Sequence, residues 1–282
     1  MYSYEQSIKS KQSDELINTY LLRPIAGMIV GVLYRTSVTP NQITITSVVV
    51  GLIASAVYLC GTSTAMFIAG LLVTLKDILD SADGQLARAK NQYSRVGRFL
   101  DSIGDFVVDV ALFAAIGWVL YREQHSFWML ILAALGLLGI SLRVSYHVFY
   151  QTNYLHFQNV YAVNRVTEEL REEDLQNGQS EIVLQKIFQY VYGWQDRLMV
   201  RIDRWCMNRR RTNNHELSNG QLQQWYSDAM ALRLSGFLGF GTELFVLMLC
   251  SVFNHLKLYL YLNLFFMNGI WLACILYRRI KI

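Results

Sequence analysis

The chain has 282 residues, 53% of them hydrophobic and only 16% charged, with a formal net charge of +4. Soluble domains carry about a quarter charged residues, so the composition argues against an ordinary soluble domain and for a multi-span membrane protein. Two prolines in the whole chain, Pro24 and Pro40, suit a mostly helical fold. The first twenty residues are polar and mixed in charge, so no cleavable leader is expected. The four cysteines, Cys60, Cys206, Cys250 and Cys274, have neither ligand nor pairing spacing and read as inert thiols.

In chain order, residues 1–39 form an N-terminal segment. Its part from Leu16 to Val38 mixes apolar residues with Arg23 and Arg35. It is either an amphipathic helix in the membrane interface or a leader packed on the bundle. Residues 40–150 supply four runs long enough to span, about 20 apolar residues each. They run from Ile43 to Leu59, from Thr64 into an aspartate-rich stretch, from Phe99 to Tyr121 and from Phe127 to Tyr150. Residues 151–232 are polar and hold an acidic patch, Glu168 to Asp174, and an Asn177-Gly178 turn signal. A helical stripe follows at Ile187, Val191, Trp194, Leu198, Ile202 and Trp205, then the run Arg209-Arg210-Arg211. This segment reads as a helical cytoplasmic insertion whose arginines touch anionic headgroups rather than nucleic acid. Residues 233–282 supply two more spans, Leu234 to Phe253 and Leu258 to Tyr277. The expected fold is therefore all-α and integral to the membrane, with six transmembrane helices, an interfacial N-terminal helix and the insertion between helices four and five. Most Lys and Arg fall on the side of the termini and the aspartate loop, while connections 60–63, 122–126 and 254–257 hold only Arg122 and Lys257. The positive-inside tendency puts both termini and that loop in the cytoplasm.

The chemistry concentrates at Asp80, Asp83, Asp101 and Asp105. The first pair is spaced i,i+3 and the second i,i+4, so each lines one helix face. Carboxylates at a bilayer are unfavourable unless something positive neutralises them, and oxygen ligands suit Mg²⁺, Mn²⁺ or Ca²⁺. Two faces meeting across a helix pair could hold two metals roughly 4 Å apart, an arrangement that clamps a phosphoryl group in transfer. Gly84 and Gly97 would admit a phosphate or a neighbouring helix close to the backbone. Arg88 offers a guanidinium suited to a diphosphate.

The stretch Asp80-Ser81-Ala82-Asp83-Gly84-Gln85-Leu86-Ala87-Arg88, continued by Gly97, Asp101 and Asp105, resembles the signature of the CDP-alcohol phosphatidyltransferase family at every fixed position. Pro40-Asn41-Gln42-Ile43-Thr44 also resembles a family feature. The resemblance implies that Asp80, Asp83 and Asp101 ligate two divalent metals, Mg²⁺ or Mn²⁺, with Ca²⁺ as a candidate inhibitor. It makes Asp105 the general base, in reach of a metal as well. It places Gly84, Arg88 and Ser94 at the CDP part of the donor, with Ala87 and Gly97 from the same signature and Asn41 and Thr44 beside them. The implied reaction is attack of an alcohol hydroxyl on the β-phosphorus of a CDP-linked lipid, with release of CMP. The implied partners are that lipid, a small polar alcohol that is either plain or phosphorylated, membrane lipids and a second copy of the chain. One rival keeps the chemistry but uses CDP-choline or CDP-ethanolamine with diacylglycerol, a branch whose members tend to have more spans. A cation transporter is the rival of another class, disfavoured because the carboxylates cluster at one end of the bundle.

Five further positions stay open. Arg143 and Arg233 are candidates to receive an acceptor phosphate, or else snorkel to headgroups. Glu243 lies inside an apolar span and is either functional or a hydrogen-bonded structural acid. Asp77 and Asp109 continue the aspartate faces, as ion-pair partners or as supports of the site.

Overall fold

Each of the first long helices begins at a side-chain cap that the sequence supplies. Thr39 and Gln42 form a capping box ahead of Pro40, Thr62 accepts from the Ala65 amide, and Ser94 accepts from the Gly97 amide. In the computed structural model, which describes residues 4, 14–92, 94–158, 178–208 and 218–281, the ordered elements are helices joined by turns. They are α1 (a π turn Asn18–Leu22 running into Arg23–Leu33), α2 (Pro40–Tyr58), α3 (Ser63–Lys90), α4 (Arg95–Gln124) and α5 (Trp128–Phe157). Next come α6 (Gln179–Met207), α7 (Asn219–Tyr226), α8 (Ala229–Ser235) and α9 (Phe240–Val252). The last, α10, comprises Leu256–Tyr261, a π turn Leu262–Met267 and Asn268–Lys281. The acidic patch at 168–174 and the arginine run at 209–211 lie outside the described residues.

By length and composition α2, α4, α5 and α10 can cross a membrane, and α8 with α9 would make a fifth crossing if that bent pair is one span. Among the described residues the fold is all-helical, with four or five such candidates. Helix α3 has 28 residues, but Lys76, Asp77 and Asp80 break its apolar run.

The expected fifth span, Leu234 to Phe253, is bent. Its helix breaks over Gly236–Gly239 and resumes at Phe240 with a 41° bend. The cause is Glu15. A side chain at Gly239 would overlap the Glu15 carboxyl, and Glu15 Oε2 accepts the Gly241 amide at 2.7 Å. The N-terminal segment thus inserts an acid into the gap and caps the new helix. Helix α1 itself packs Ala26 and Val30 against Ala82 and Leu86 of α3, leaving Met28 and Val32 exposed. It is packed on one face and open on the other.

Helix α6 also departs from expectation. Its buried face carries Gln185, Gln195, Met199 and Asp203, whereas Ile187, Trp194 and Trp205 of the predicted stripe point outward. Polar partners explain the inversion. Gln195 accepts from Ser145 at 2.5 Å, and Asp203 accepts from Tyr150, Trp225 and Tyr226 at 2.7–2.9 Å. Satisfied in this way, these groups can be buried without penalty. Helix α6 is therefore a part of the bundle, with Tyr192 donating to the Ser102 carbonyl of α4 at 2.7 Å.

The approach of α2 to α4 fixes where Asp101 and Asp105 can sit. Two glycines are placed reciprocally. A Cβ on Gly51 of α2 would lie 2.5 Å from a Val108 methyl, and one on Gly104 of α4 would lie 2.5 Å from a Val48 methyl. Each valine fills the space its opposite glycine leaves, a small-residue contact typical of membrane helices. Gly104 also directly precedes Asp105. Gly104→Ala will gain about 1 kcal/mol of helix propensity but lose about 1–3 kcal/mol to overpacking. Thermal unfolding in detergent will show a net loss of stability, and adding Val48→Ala will recover most of it.

Candidate active site

Helix α3 presents Asp80 and Asp83, and α4 presents Asp101 and Asp105, facing one another across the pair. One carboxylate oxygen each from Asp80, Asp101 and Asp105 lies within 4.8 Å of the others. Asp83 is turned toward α2, where the Thr44 hydroxyl donates to it. Of the four expected ligands, three gather at one point and the fourth lines the same cavity. Oδ1 of Asp80 and Oδ1 of Asp101 are buried and have no hydrogen-bond partner. Buried acceptors left in this way are destabilising by about 1–3 kcal/mol or more each. Orphaned oxygens converging from two helices fit a hard divalent cation, for which an all-oxygen donor set is suited.

One residue that sequence reasoning passed over belongs here. Lys76 lies one turn before Asp80, is buried, forms an ion pair with Asp105 and stands 3.8 Å from Asp80. Its presence inside an apolar run was itself a signal, because lysines there carry a pairing requirement.

The carboxylates open into a cavity of about 600 Å³. Gly84 and Arg88 line it, with the Arg88 guanidinium folded 3.5 Å from where a Gly84 Cβ would stand. Asn41, Ser94 and Gly97 form a neighbouring group: a Cβ on Gly97 would lie 2.8 Å from both Asn41 Oδ1 and Ser94 Oγ. These three, Thr44 and the half-buried Ala87 do not line the cavity themselves. Arg95 and Arg98 of α4 do, as do His147 and Gln151 of α5 and Phe188 and Asp196 of α6. Arg95 also pairs with Glu181 of α6 at 3.3 Å. The N-terminal segment closes another side with Asp14, paired to Arg23 at 2.8 Å, and Glu15.

Arg143, Arg233 and Glu243 are not brought to this cavity. Arg143 is fully buried and pairs with Glu243 at 2.9 Å. It also donates to the Asn263 carbonyl at 3.0 Å and to Asn268 at 2.6 Å. Glu243 accepts in addition from Tyr259 at 3.1 Å and from Asn263. Arg233 lies exposed in the last turn of α8. The expectation that Arg143 reaches an acceptor or a headgroup is corrected: its charge is spent inside the bundle. Asp77 lines the cavity, and Asp109 is buried one turn beyond Asp105.

Residues 37–164 match the family model of the CDP-alcohol phosphatidyltransferases. This region, which holds all four aspartates, is similar to that family of enzymes. The Bifunctional IPC transferase and DIPP synthase of Thermococcus kodakarensis is 34% identical over 133 residues, covering 47% of this chain and 29% of the relative. The Phosphatidylinositol phosphate synthase of Corynebacterium glutamicum is 31% identical over 126 residues, 45% of this chain and 55% of the relative. The Archaetidylinositol phosphate synthase of Pyrococcus horikoshii is 36% identical over 75 residues, 27% of this chain and 38% of the relative. The chain thus spans between about a quarter and just over half of each of these three relatives.

Two outcomes follow for the groups around the cavity. Arg143→Met or Glu243→Leu alone will lower stability in detergent by about 3–5 kcal/mol, since each strands a buried charge, and the double replacement will cost much less. Burial, with the nearby Asp77 and Asp14 charges, pushes the Glu15 carboxyl from the usual 4.5 up to about 8. A raised carboxyl favours the folded state most below its ordinary range, and that advantage is lost as pH climbs through about 8. Melting temperature will fall between pH 5 and 9, and the fall will be shallower in Glu15→Gln, which keeps an acceptor for the Gly241 amide.

Proposed function

We propose that this chain transfers a substituted phosphate group from a CDP-linked lipid, of the CDP-diacylglycerol type, to a polar alcohol and releases CMP. The observation that carries the reading is the convergence of the Asp80, Asp101 and Asp105 oxygens beside Gly84 and Arg88 in one cavity. Asp80, Asp83 and Asp101 would hold two divalent ions, Mg²⁺ or Mn²⁺, with Asp105 within reach. Bound there, such ions supply charge stabilisation to the diphosphate as negative charge shifts toward the leaving group. Arg88, folded over Gly84, offers paired donors to the donor's diphosphate. Asn41, Thr44, Ser94, Ala87 and Gly97 shape the neighbouring nucleotide end, where Gly97 leaves room that any side chain would fill.

Asp105 is the base of the reading. The acceptor hydroxyl gives its proton to the Asp105 carboxylate while its oxygen bonds to the donor's β-phosphorus. The bond from that phosphorus to the bridging oxygen breaks, and the electron pair leaves with CMP. Arg95 and Arg98 on the cavity wall suit an acceptor that itself carries phosphate. Two relatives are named as synthases of inositol phosphate lipids, and a phosphorylated polyol of that kind is the acceptor class we assign.

The same reading sets the site at the cytoplasmic end of six crossings, with both termini on that side. Helix α3 would be the sixth, since Phe67, Ile68, Leu71 and Leu75 expose one apolar stripe of the kind lipid would cover. The family resemblance extends this to a homodimer. Purified protein in detergent will be given labelled CDP-diacylglycerol, Mn²⁺ and a panel of inositol 1-phosphate, glycerol 3-phosphate, inositol and serine. CMP release dependent on Mn²⁺ and on a phosphorylated acceptor is expected, with at least a ~10²-fold loss of kcat in Asp105→Asn. Release unchanged in that variant would remove Asp105 as base, and no release with any acceptor would sink the reaction itself.

A further inference from the structure

The four signature carboxylates carry a formal charge of −4, and the buried Asp77 and Asp109 stand one turn from either end of the group. Against these the described residues place one ammonium inside the helix pair, that of Lys76. Three observations set it apart from a lysine that merely snorkels. Its Nζ is in ion-pair contact with Asp105 and 3.8 Å from Asp80 Oδ1, an oxygen with no hydrogen bond. Its stem is enclosed: a Cβ on Gly51 would sit 3.3 Å from Lys76 Cγ, and the Phe240 ring lies 5.9 Å from Nζ. Finally, Asp80, Asp101 and Asp105 line the cavity but Lys76 does not. It therefore meets the carboxylates from outside the cavity that substrate would enter.

We propose that Lys76 is a resident cation of the carboxylate site. It takes one oxygen of Asp105 and so positions this side chain, and it neutralises part of the charge that a divalent ion would otherwise have to offset alone. The site then stays folded before metal arrives, and it binds metal less tightly than the bare carboxylates would. A site that must admit and release a charged diphosphate benefits from that moderation. Lys76 is a positioning residue, not one that touches the reacting atoms. The inference rests on the reading of the aspartates as a metal site, and its test is independent of turnover.

The measurement is Mn²⁺ binding to purified protein without donor or acceptor, followed by isothermal titration and by the paramagnetic signal of free Mn²⁺. Unfolding curves with EDTA and with saturating Mn²⁺ accompany it. Lys76→Met keeps the stem and deletes the charge, Lys76→Gln is a second neutral form, and Lys76→Arg keeps the charge. Mn²⁺ is expected to bind either neutral variant tighter by about tenfold or more, the scale of one unit charge removed a few ångström from a cation in a partly screened site. The neutral variants should melt lower than the parent in EDTA and regain more of the loss with Mn²⁺, while Lys76→Arg stays near the parent in both. A neutral variant that folds only when Mn²⁺ is present throughout purification supports the same conclusion. Equal or weaker Mn²⁺ binding in Lys76→Met and Lys76→Gln would overturn the proposal while leaving the transfer reaction standing. If parent and variants alike take up no Mn²⁺, the proposal and the metal site beneath it fall together, whereas loss of CMP release with the affinity order intact would strike the reaction alone.

Discussion

Carboxylates of Asp80, Asp101 and Asp105 gathered within 4.8 Å of one another repel, and in an apolar helix pair that repulsion is poorly screened. Much of the bundle answers this one constraint. Thr44 of α2 turns Asp83 aside with a hydrogen bond, and Lys76 of α3 neutralises Asp105 from outside the cavity. Both contacts demand that α2, α3 and α4 come unusually close. Gly51 and Gly104 provide that closeness, each accepting a valine from the opposite helix, so the packing of plain apolar residues decides where the charged ones stand.

The same logic reaches the parts of the chain outside residues 37–164. The N-terminal segment contributes Asp14 and Glu15 to the cavity wall, and Glu15 interrupts the helix between α8 and α9 to obtain the Gly241 amide. Helix α6 buries Gln195 and Asp203 because α5 and α7 supply partners for them, and in doing so it brings Phe188 and Asp196 to the cavity. Residues 37–164 carry the carboxylates, while their neighbours in sequence complete the chamber around them.

Arg143 and Glu243 show the difference between a local and a tertiary reading. Each alone, an ionisable residue in an apolar run, argues for function. They are 100 residues apart, and only the packing of α5 on α9 shows that they neutralise one another. Lys76 is the converse case. It sits in plain view one turn from Asp80, yet its importance depends on Asp105, 29 residues on.

By itself the sequence determined the helical class, the starts of α2, α3 and α4, and the two aspartate-bearing faces. Those follow from local rules: caps at Thr39, Thr62 and Ser94, apolar runs of spanning length, and the fixed 3.6-residue turn that puts Asp80 with Asp83 and Asp101 with Asp105. Tertiary structure alone decided that Asp83 turns to Thr44, that Lys76 meets Asp105, that Arg143 is used up by Glu243, and that Ile187, Trp194 and Trp205 of α6 face outward. Each of these depends on which side chain arrives from a distant helix. A buried polar group takes whatever partner packing brings within hydrogen-bond reach, and no period along the chain encodes that meeting.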